Sequence, residues 1–236
     1  MKFFCLCCLF LLLGCSGSGD TNTAATPFLA YAEEKPISLN VRHIHWAADP
    51  GRYDTEMDSA YSYETLSLLP SKTAFILMDV WDRSYNDGHS ERINGNVREK
   101  LVPALEAARA YGLTIIHSPH LEGSTYGYKI HPLASPQGGE FIVDGPQEQE
   151  MLLSILKGRG ITTIIYAGYA SNICVLDRPT GFQEMKKQGL EIILLRDASI
   201  AVELPRVFSL GLVHEVTLVI YESSGYSATV DDFLKG

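Results

Sequence analysis

The sequence has no excess of positive charge, no long apolar run after its first residues and almost no cysteine beyond them. Its 236 residues hold 19 Lys and Arg against 28 Asp and Glu, a formal net charge of −9. A protein that grips phosphate backbones needs a basic face, so this balance argues against nucleic-acid binding. With 46% hydrophobic residues the chain is too apolar for intrinsic disorder and fits one globular domain with additional chain.

The amino-terminal residues are typical of an export signal. An unbroken apolar run from Phe3 to Leu13 suits a signal-peptide hydrophobic region and is too short to span a bilayer. The run ends in Leu-Leu-Gly-Cys at residues 12–15, which resembles a bacterial lipobox. The resemblance implies removal of residues 1–14, acylation of Cys15 (palmitate included) and a lipid anchor to a membrane of the cell envelope, on its periplasmic or extracellular face. The alternative is a plain secretory signal in which Cys15 is incidental.

Removal of the signal and acylation of Cys15 would leave one free cysteine in the folded part of the chain. Cys5, Cys7 and Cys8 leave with the signal and Cys15 is taken by the lipid, so the folded part retains only Cys174. An unpaired cysteine in an exported protein is either a buried small hydrophobic residue or a nucleophile.

Composition divides the rest of the chain into three parts. Residues 15–36 are rich in Ser, Gly, Thr, Ala and Pro, which predicts a flexible tether. Residues 37–71 contain short alternating stretches and predict a small β extension such as a hairpin. Residues 72–236 alternate branched apolar runs with amphipathic stretches, a pattern that predicts an α/β/α domain with a mostly parallel sheet between helical layers.

The boundaries of the elements follow from this periodicity. The expected strands cover residues 73–78, 113–116, 140–143, 162–167, 190–195 and 215–221. The expected helices cover residues 95–110, 146–156 and 173–188, and Pro179 should kink the last of these.

Two chemically capable side chains follow predicted strands. Asp79 ends the strand at residues 73–78, and Cys174 falls in the first turn of the helix after the strand at residues 162–167. Ligand sites in such sheets lie outside the carboxyl ends of the strands, so both side chains are expected at one edge. A carboxylate beside a thiol can take its proton and later deliver it to a leaving amine. The alternatives are a turn-capping aspartate and a core cysteine.

At these residues the chain resembles the isochorismatase-like cysteine hydrolases, the superfamily of nicotinamidases and N-carbamoyl amidases. The resemblance covers about residues 72–222 and is carried by three segments: Phe75–Trp81, Gly168–Val175 and Gly189–Ala198. It implies a six-stranded parallel sheet and a hydrolase acting on a small amide or related C–N bond through a thioester on the cysteine.

The same resemblance implies roles for individual residues. Asp79 and Cys174 would be catalytic, the Tyr169–Ala170 peptide bond would be cis, and the backbone N–H groups of Ala170 and Cys174 would form the oxyanion hole. We expect helix-terminus stabilisation to lower the pKa of Cys174 modestly below that of a free thiol.

One family residue is missing. In the family, the third catalytic residue is a Lys after the third strand, shortly before the helix that follows. At this position the present chain reads Val-Asp-Gly-Pro-Gln, residues 143–147, and contains no Lys. Lys129 is a candidate substitute from the preceding loop. Three histidines are further candidates: His89, His117 and His120.

We expect no metal and no cofactor. His117 with His120 and His43 with His45 have spacings that suit shared ligation, but neither pair has an obvious third ligand. The expected partner is a small-molecule substrate, and assembly into a homo-oligomer is left open.

Two functions are compatible with these observations. The first is a membrane-tethered cysteine hydrolase, favoured by Asp79, Cys174 and the segment around the thiol. The alternative is a catalytically impaired member of the fold that binds a small ligand or a partner, favoured by the missing Lys.

Overall fold

Apolar strands without polar alternation form the centre of the fold, because both faces of their sheet are covered by helices. The computed structural model describes residues 34–46, 60–84, 86–122 and 127–236. The predicted signal peptide, Cys15 and the tether up to residue 33 lie outside these residues. Within them, no helix is both long and apolar enough to cross a bilayer.

The described residues contain one sheet of eight strands in the order β2-β1-β8-β7-β6-β3-β4-β5. The strands are β1 (Ile37–His45), β2 (Ala60–Leu68), β3 (Thr73–Met78), β4 (Thr114–Ser118), β5 (Phe141–Ile142), β6 (Thr163–Tyr169), β7 (Glu191–Ile200) and β8 (Tyr226–Ala228). The six strands from β8 to β5 are parallel, as the family resemblance implies. The predicted amino-terminal extension is an antiparallel β1–β2 pair, and it joins this sheet through β8.

Helices cover both faces of the sheet. They are α1 (Asp87–Asn96), α2 (Val102–Tyr111), α3 (Glu148–Arg159), α4 (Cys174–Asp177), α5 (Phe182–Lys187), α6 (Leu212–Ser224) and α7 (Val230–Phe233), and a π-helical segment at Val97–Leu101 joins α1 to α2. Successive side chains of β3 point to opposite faces of the sheet and pack in two different hydrophobic cores. Phe75 and Leu77 pack with α1, α2 and α7, while Ile76 and Met78 pack with α3, α5 and α6. This arrangement confirms the three-layer prediction.

One predicted strand is wrong. Residues 215–221 are not a strand but lie inside α6, and the sixth parallel strand is β8. The β-branched residues of this segment resemble a strand, but its buried positions follow a helical period: Thr217, Leu218, Tyr221 and Glu222.

The predicted helix over residues 173–188 is two short helices. α4 ends at Asp177, and Arg178 adopts an extended conformation (φ −63°, ψ 158°) that the following Pro179 favours. α5 begins at Phe182 after a tight turn, in which Gly181 lies against backbone atoms of Cys174 and Arg178. At Pro179 the predicted helix is therefore interrupted completely, not merely kinked.

The carboxyl ends of β3 and β6 approach each other unusually closely. Gly168 pairs with Met78 and has a φ of +127°. A Cβ atom at this position would lie 2.0 Å from the Met78 carbonyl oxygen. Only glycine fits this conformation and spacing, and it brings the residues that follow both strands into contact.

Candidate active site

Asp79 occupies the end of β3 in a buried, left-handed conformation. Its φ is +47°, which aspartate tolerates better than most side chains, and the residue is 1% exposed. Its backbone N–H donates to the Ser118 carbonyl at 3.1 Å. This turn holds the carboxylate at the edge of the sheet next to the residues that follow β6.

Cys174 begins α4, directly after the loop that leaves β6. The loop contains a cis peptide bond between Tyr169 and Ala170, the bond that the family resemblance implies. The Ala170 carbonyl accepts from the backbone N–H groups of Ile173 and Val175, at 3.1 and 3.2 Å. The Cys174 thiol and the Asp79 carboxylate are close enough for each to shift the pKa of the other, and the Ala170 backbone N–H lowers the pKa of the thiol. The structure therefore brings together the two side chains that the strand ends predicted.

Arg178 supplies the positive charge of this site. Its Nη1 lies 2.5 Å from Asp79 Oδ1 and 3.1 Å from the Ser118 carbonyl oxygen. Its Nη2 pairs with the buried carboxylate of Glu148 at the start of α3. Asp79 Oδ2 has no conventional hydrogen-bond partner among the described residues, so the Arg178 contact leaves this oxygen available to the thiol.

A cavity of about 550 Å³ opens onto Cys174 and Arg178. Its other lining residues are His120, Glu122, Gly145, Pro146, Glu148 and Pro179. A larger cavity of about 720 Å³ begins beside β1 and has no cysteine, histidine or aspartate in its lining. The chemistry therefore points to the smaller cavity, which suits a small molecule.

The loop after β4 forms one wall of this cavity. Asp144 accepts from the backbone N–H groups of Leu121, Glu122 and Gly145 at 2.9 to 3.1 Å, which fixes the loop to the end of β5. His120 in this loop has a φ of +49°, and its Nδ1 lies 3.8 Å from Glu148 Oε2. Residues 143–147, where the family Lys is absent, thus help to form the wall of the cavity.

Burial dominates the ionisation of Asp79. It raises the pKa of this carboxyl to about 7, while Arg178 and the Cys174 thiol act in the opposite direction. Glu148 and Asp144 add to the increase. A carboxyl with this pKa can both accept and donate a proton near neutral pH.

The expected lowering of the Cys174 pKa is wrong. Burial raises the pKa of this thiol well above its ordinary value, and the Asp79 charge raises it further. Arg178 and the Ala170 N–H lower it, but they do not offset the first two effects. The sequence argument relied on a long helix at Cys174, whereas α4 has only four residues. The resting form of the site is a thiol beside Asp79.

The positive charge beside Asp79 does not come from the residues that were candidates to replace the family Lys. Lys129 is exposed, and its backbone pairs with Asp82 rather than with the site. His117 is buried 2.8 Å from Glu140, and burial lowers its pKa. His89 contacts Ser84 Oγ at 2.8 Å, and burial with nearby Arg92 lowers its pKa to about 4.

Of the predicted candidates, only His120 reaches the cavity. The other proposed pair of metal ligands lies on β1, where His43 contacts Glu64 at 3.6 Å and the ring of Tyr226. The described part of the chain contains no group of three or more His, Cys, Asp or Glu side chains arranged to hold a metal ion.

Sequence reasoning missed Arg178 and Glu148. Arg178 follows Cys174 by four residues, a spacing that places two side chains on one face of a helix. That spacing is a weak signal, because Pro179 interrupts the helix and Arg178 itself is extended. Glu148 carried no comparable signal, since an acidic residue in the first helical turn is common.

The fold and the grouping of Asp79, Cys174 and Arg178 define an α/β protein with a thiol site at the carboxyl edge of a parallel sheet. In sequence, residues 73–207 match the family model of the isochorismatase domain, so the chain belongs to this family. No curated protein matches the chain in sequence.

Solved structures are similar in fold. A cysteine hydrolase from Pseudomonas syringae pv. phaseolicola 1448A is 19% identical with a TM-score of 0.59, over 71% of this chain and 93% of that chain. An isochorismatase from Pseudomonas putida KT2440 is 20% identical with a TM-score of 0.56, over 68% and 89%. An isochorismatase-like hydrolase from Alkaliphilus metalliredigens is 21% identical with a TM-score of 0.54, over 70% and 98%. At sequence identities this low, the similarity establishes a shared fold and nothing further.

Proposed function

We propose that this protein is a cysteine hydrolase that cleaves a small amide or related C–N bond through a thioester on Cys174. The observation that carries the proposal is the contact of Asp79 with both the Cys174 thiol and Arg178 beside a cavity of small-molecule size. The absence of the family Lys favours a non-catalytic protein. Arg178 answers that objection, because it places a permanent positive charge against the Asp79 carboxylate.

The first half of the reaction forms the thioester. The thiol proton of Cys174 moves to Asp79 as the sulfur attacks the carbonyl carbon of the substrate. The negative charge on the carbonyl oxygen is stabilised by the N–H groups that the family resemblance assigns, those of Ala170 and Cys174. The tetrahedral intermediate then expels the nitrogen, which takes the proton from Asp79 and leaves as an amine or ammonia.

The second half hydrolyses the thioester. Asp79, again ionised, accepts a proton from a water molecule while the water oxygen attacks the acyl carbon. The C–S bond breaks, the sulfur regains a proton from Asp79, and the carboxylic acid leaves. One water is consumed, and Asp79 and Cys174 return to their starting forms.

Arg178 acts on the two reacting groups through charge and position. It holds Asp79 Oδ1, so that Oδ2 remains for proton transfer, and its charge lowers the pKa of the Cys174 thiol. The pairing with Glu148 fixes the guanidinium from its other nitrogen. A planar guanidinium can bridge two carboxylates in this way, whereas an ammonium is a single point charge.

The test is ammonia release from a panel of small primary amides and N-carbamoyl compounds, followed by mass spectrometry of acid-quenched protein. We expect turnover of at least one compound and an acyl adduct on the peptide that contains Cys174. Cys174→Ala should lose both signals, and Met151→Ala on the exposed face of α3 is the matched control. Absence of turnover and adduct across the panel would favour the ligand-binding alternative.

We further propose that Cys15 carries lipid and holds the protein at the envelope membrane. The support is the apolar run that ends in Leu-Leu-Gly-Cys at residues 12–15, followed by a tether rich in small residues. Cys15→Ala should accumulate as uncleaved precursor without incorporation of labelled palmitate, whereas Cys8→Ala should be labelled like the wild type. Equal labelling of Cys15→Ala and wild type would contradict the anchor.

A further inference from the structure

The cavity beside Cys174 is lined by more negative than positive charge. Glu122 and Glu148 contribute two carboxylates to its wall, and Arg178 carries the only permanent positive charge among the described lining residues. Asp79, which is ionised in the reactive form proposed above, is paired with the same guanidinium. An open cavity with this balance attracts cations and repels anions.

The positive charge of Arg178 is already neutralised within the protein. Its Nη1 donates to Asp79 and to the Ser118 carbonyl, and its Nη2 donates to Glu148. The side chain is only 10% exposed. A substrate carboxylate that approached this guanidinium would also approach Glu148, so the arginine does not form an anion site.

The amino terminus of α3 does not reverse the sign of the cavity. This end of a twelve-residue helix would normally favour an anion. Pro146, just before the helix, has no N–H, and Glu148 already occupies the first turn. The Gly145 N–H donates to Asp144 at 2.9 Å. Glu148 and Asp144 also raise the pKa of Asp79 by their charges, so the negative field extends to the reacting groups.

Glu122 is the carboxylate of the wall that is available to a ligand. It is exposed, whereas Glu148 is buried against Arg178. Its backbone N–H donates to Asp144 at 3.1 Å, and a Cβ atom at Gly145 would overlap its Oε2. Glycine at position 145 therefore lets this carboxylate lie against the cavity wall. A sphere of about 550 Å³ is roughly 10 Å across, so one small substrate can reach both Glu122 and the thiol.

We propose that the cavity selects small amides that carry a positive charge, such as a protonated amine, and that Glu122 pairs with this charge. The inference rests on the proposed hydrolase. The carbonyl of the substrate lies at Cys174, beside Asp79 Oδ2, which is buried without a conventional hydrogen-bond partner among the described residues. The methylene groups that join carbonyl and ammonium contact the rings of Pro146 and Pro179 in the cavity wall.

The test compares three amides of equal chain length at pH 8: δ-aminovaleramide, hexanamide and adipamate, which are cationic, neutral and anionic. For the purified full chain in mild detergent, kcat/KM for ammonia release should be at least about tenfold higher for the cation than for the neutral amide. It should be lowest for the anion. Glu122→Gln should reduce the ratio of cationic to neutral substrate to about two or less, and Glu122→Lys should favour the anion.

Glu150→Gln is the matched control, because it removes an exposed carboxylate of α3 that does not line the cavity. It should keep the ratio of the wild type. Equal or faster hydrolysis of hexanamide by the wild type would overturn the charge preference while the hydrolase stands. So would a ratio that Glu122→Gln leaves unchanged.

Binding to Cys174→Ala separates this inference from the proposed function, since it needs no turnover. Calorimetry with the same three amides should show the tightest binding for δ-aminovaleramide, and Cys174→Ala with Glu122→Gln should lose this order. That order of binding, without hydrolysis of any amide by the wild type, would support the charge preference and overturn the hydrolase. Absence of binding and hydrolysis for all three amides would overturn the inference.

Discussion

Arg178 Nη1 lies 2.5 Å from Asp79 Oδ1, although 99 positions separate the two residues in sequence. Both side chains are largely buried, and the same guanidinium also pairs with Glu148. The site therefore places one cation between two carboxylates next to a thiol.

Activity should rise with pH through about 7. Asp79 must be ionised to accept the thiol proton, and burial raises its pKa to about 7, so the active fraction increases as pH passes that value. The logarithm of kcat/KM for an amide that the protein hydrolyses, plotted against pH, should show this limb. Asp79→Asn should lower kcat/KM by about 10² to 10⁴. A limb near pH 4, the ordinary value for a carboxyl, would contradict the assigned base.

Alkylation of Cys174 by iodoacetamide should titrate above the free-thiol range. Burial and the Asp79 charge raise the pKa of the thiol, so little thiolate exists at neutral pH. Asp79→Asn removes a negative charge and should increase the alkylation rate at pH 8, whereas Arg178→Gln should decrease it. Lys129→Ala is the control and should not change the rate. A midpoint below about 8.5 would show that burial does not dominate.

Removing the Arg178 charge should destabilise the fold. Arg178→Gln leaves Asp79 and Glu148 buried without their cation, an effect of about 3–5 kcal/mol on the free energy of unfolding. The loss should be larger at pH 8 than at pH 5, because Asp79 is mostly protonated below its raised pKa. Urea denaturation at both pH values measures the difference, and Arg178→Lys should recover part of it. Equal losses at both pH values would be inconsistent with an ionised Asp79 as partner.

Gly168→Ala should prevent normal folding. The new Cβ would lie 2.0 Å from the Met78 carbonyl oxygen at a backbone φ of +127°, so β3 and β6 would have to separate at the site. We expect a loss of at least about 3 kcal/mol in the free energy of unfolding. Gly158→Ala in α3 is the control, because its Cβ would meet no atom within 4 Å and should stabilise the helix by about 0.5–1 kcal/mol. Similar stability of the two variants would contradict the close approach.

The layered α/β fold could be predicted because local patterns determine it. Short apolar runs predicted β3, β4, β6 and β7, since buried parallel strands have no polar alternation. The error at residues 215–221 arose where β-branched residues stand in a helix and tertiary packing overrides propensity. The two-strand extension could be predicted as a hairpin, but its attachment to β8 depends on a contact between distant segments.

The site could be predicted only as far as each residue had a local signal. Asp79 and Cys174 follow apolar strands, and the topology of a parallel sheet then places them at one edge. Glu148 and Arg178 meet only because α3 and the α4–α5 turn pack side by side, which no pattern in either segment reports. The sign of the Cys174 pKa shift depends on burial, and burial is a property of the assembled fold.

The four-residue spacing of Cys174 and Arg178 has a consequence for recognising related proteins. The proposed nucleophile and its cation lie in one uninterrupted stretch, residues 168–181, so an insertion before α3 would not separate them. If Arg178 takes the place of the family Lys as proposed, we expect a Cys followed by three residues and then Arg-Pro in related sequences that lack the Lys. A survey for that short pattern would delimit a subgroup with a relocated charge, distinguishable from degenerate members that have simply lost it.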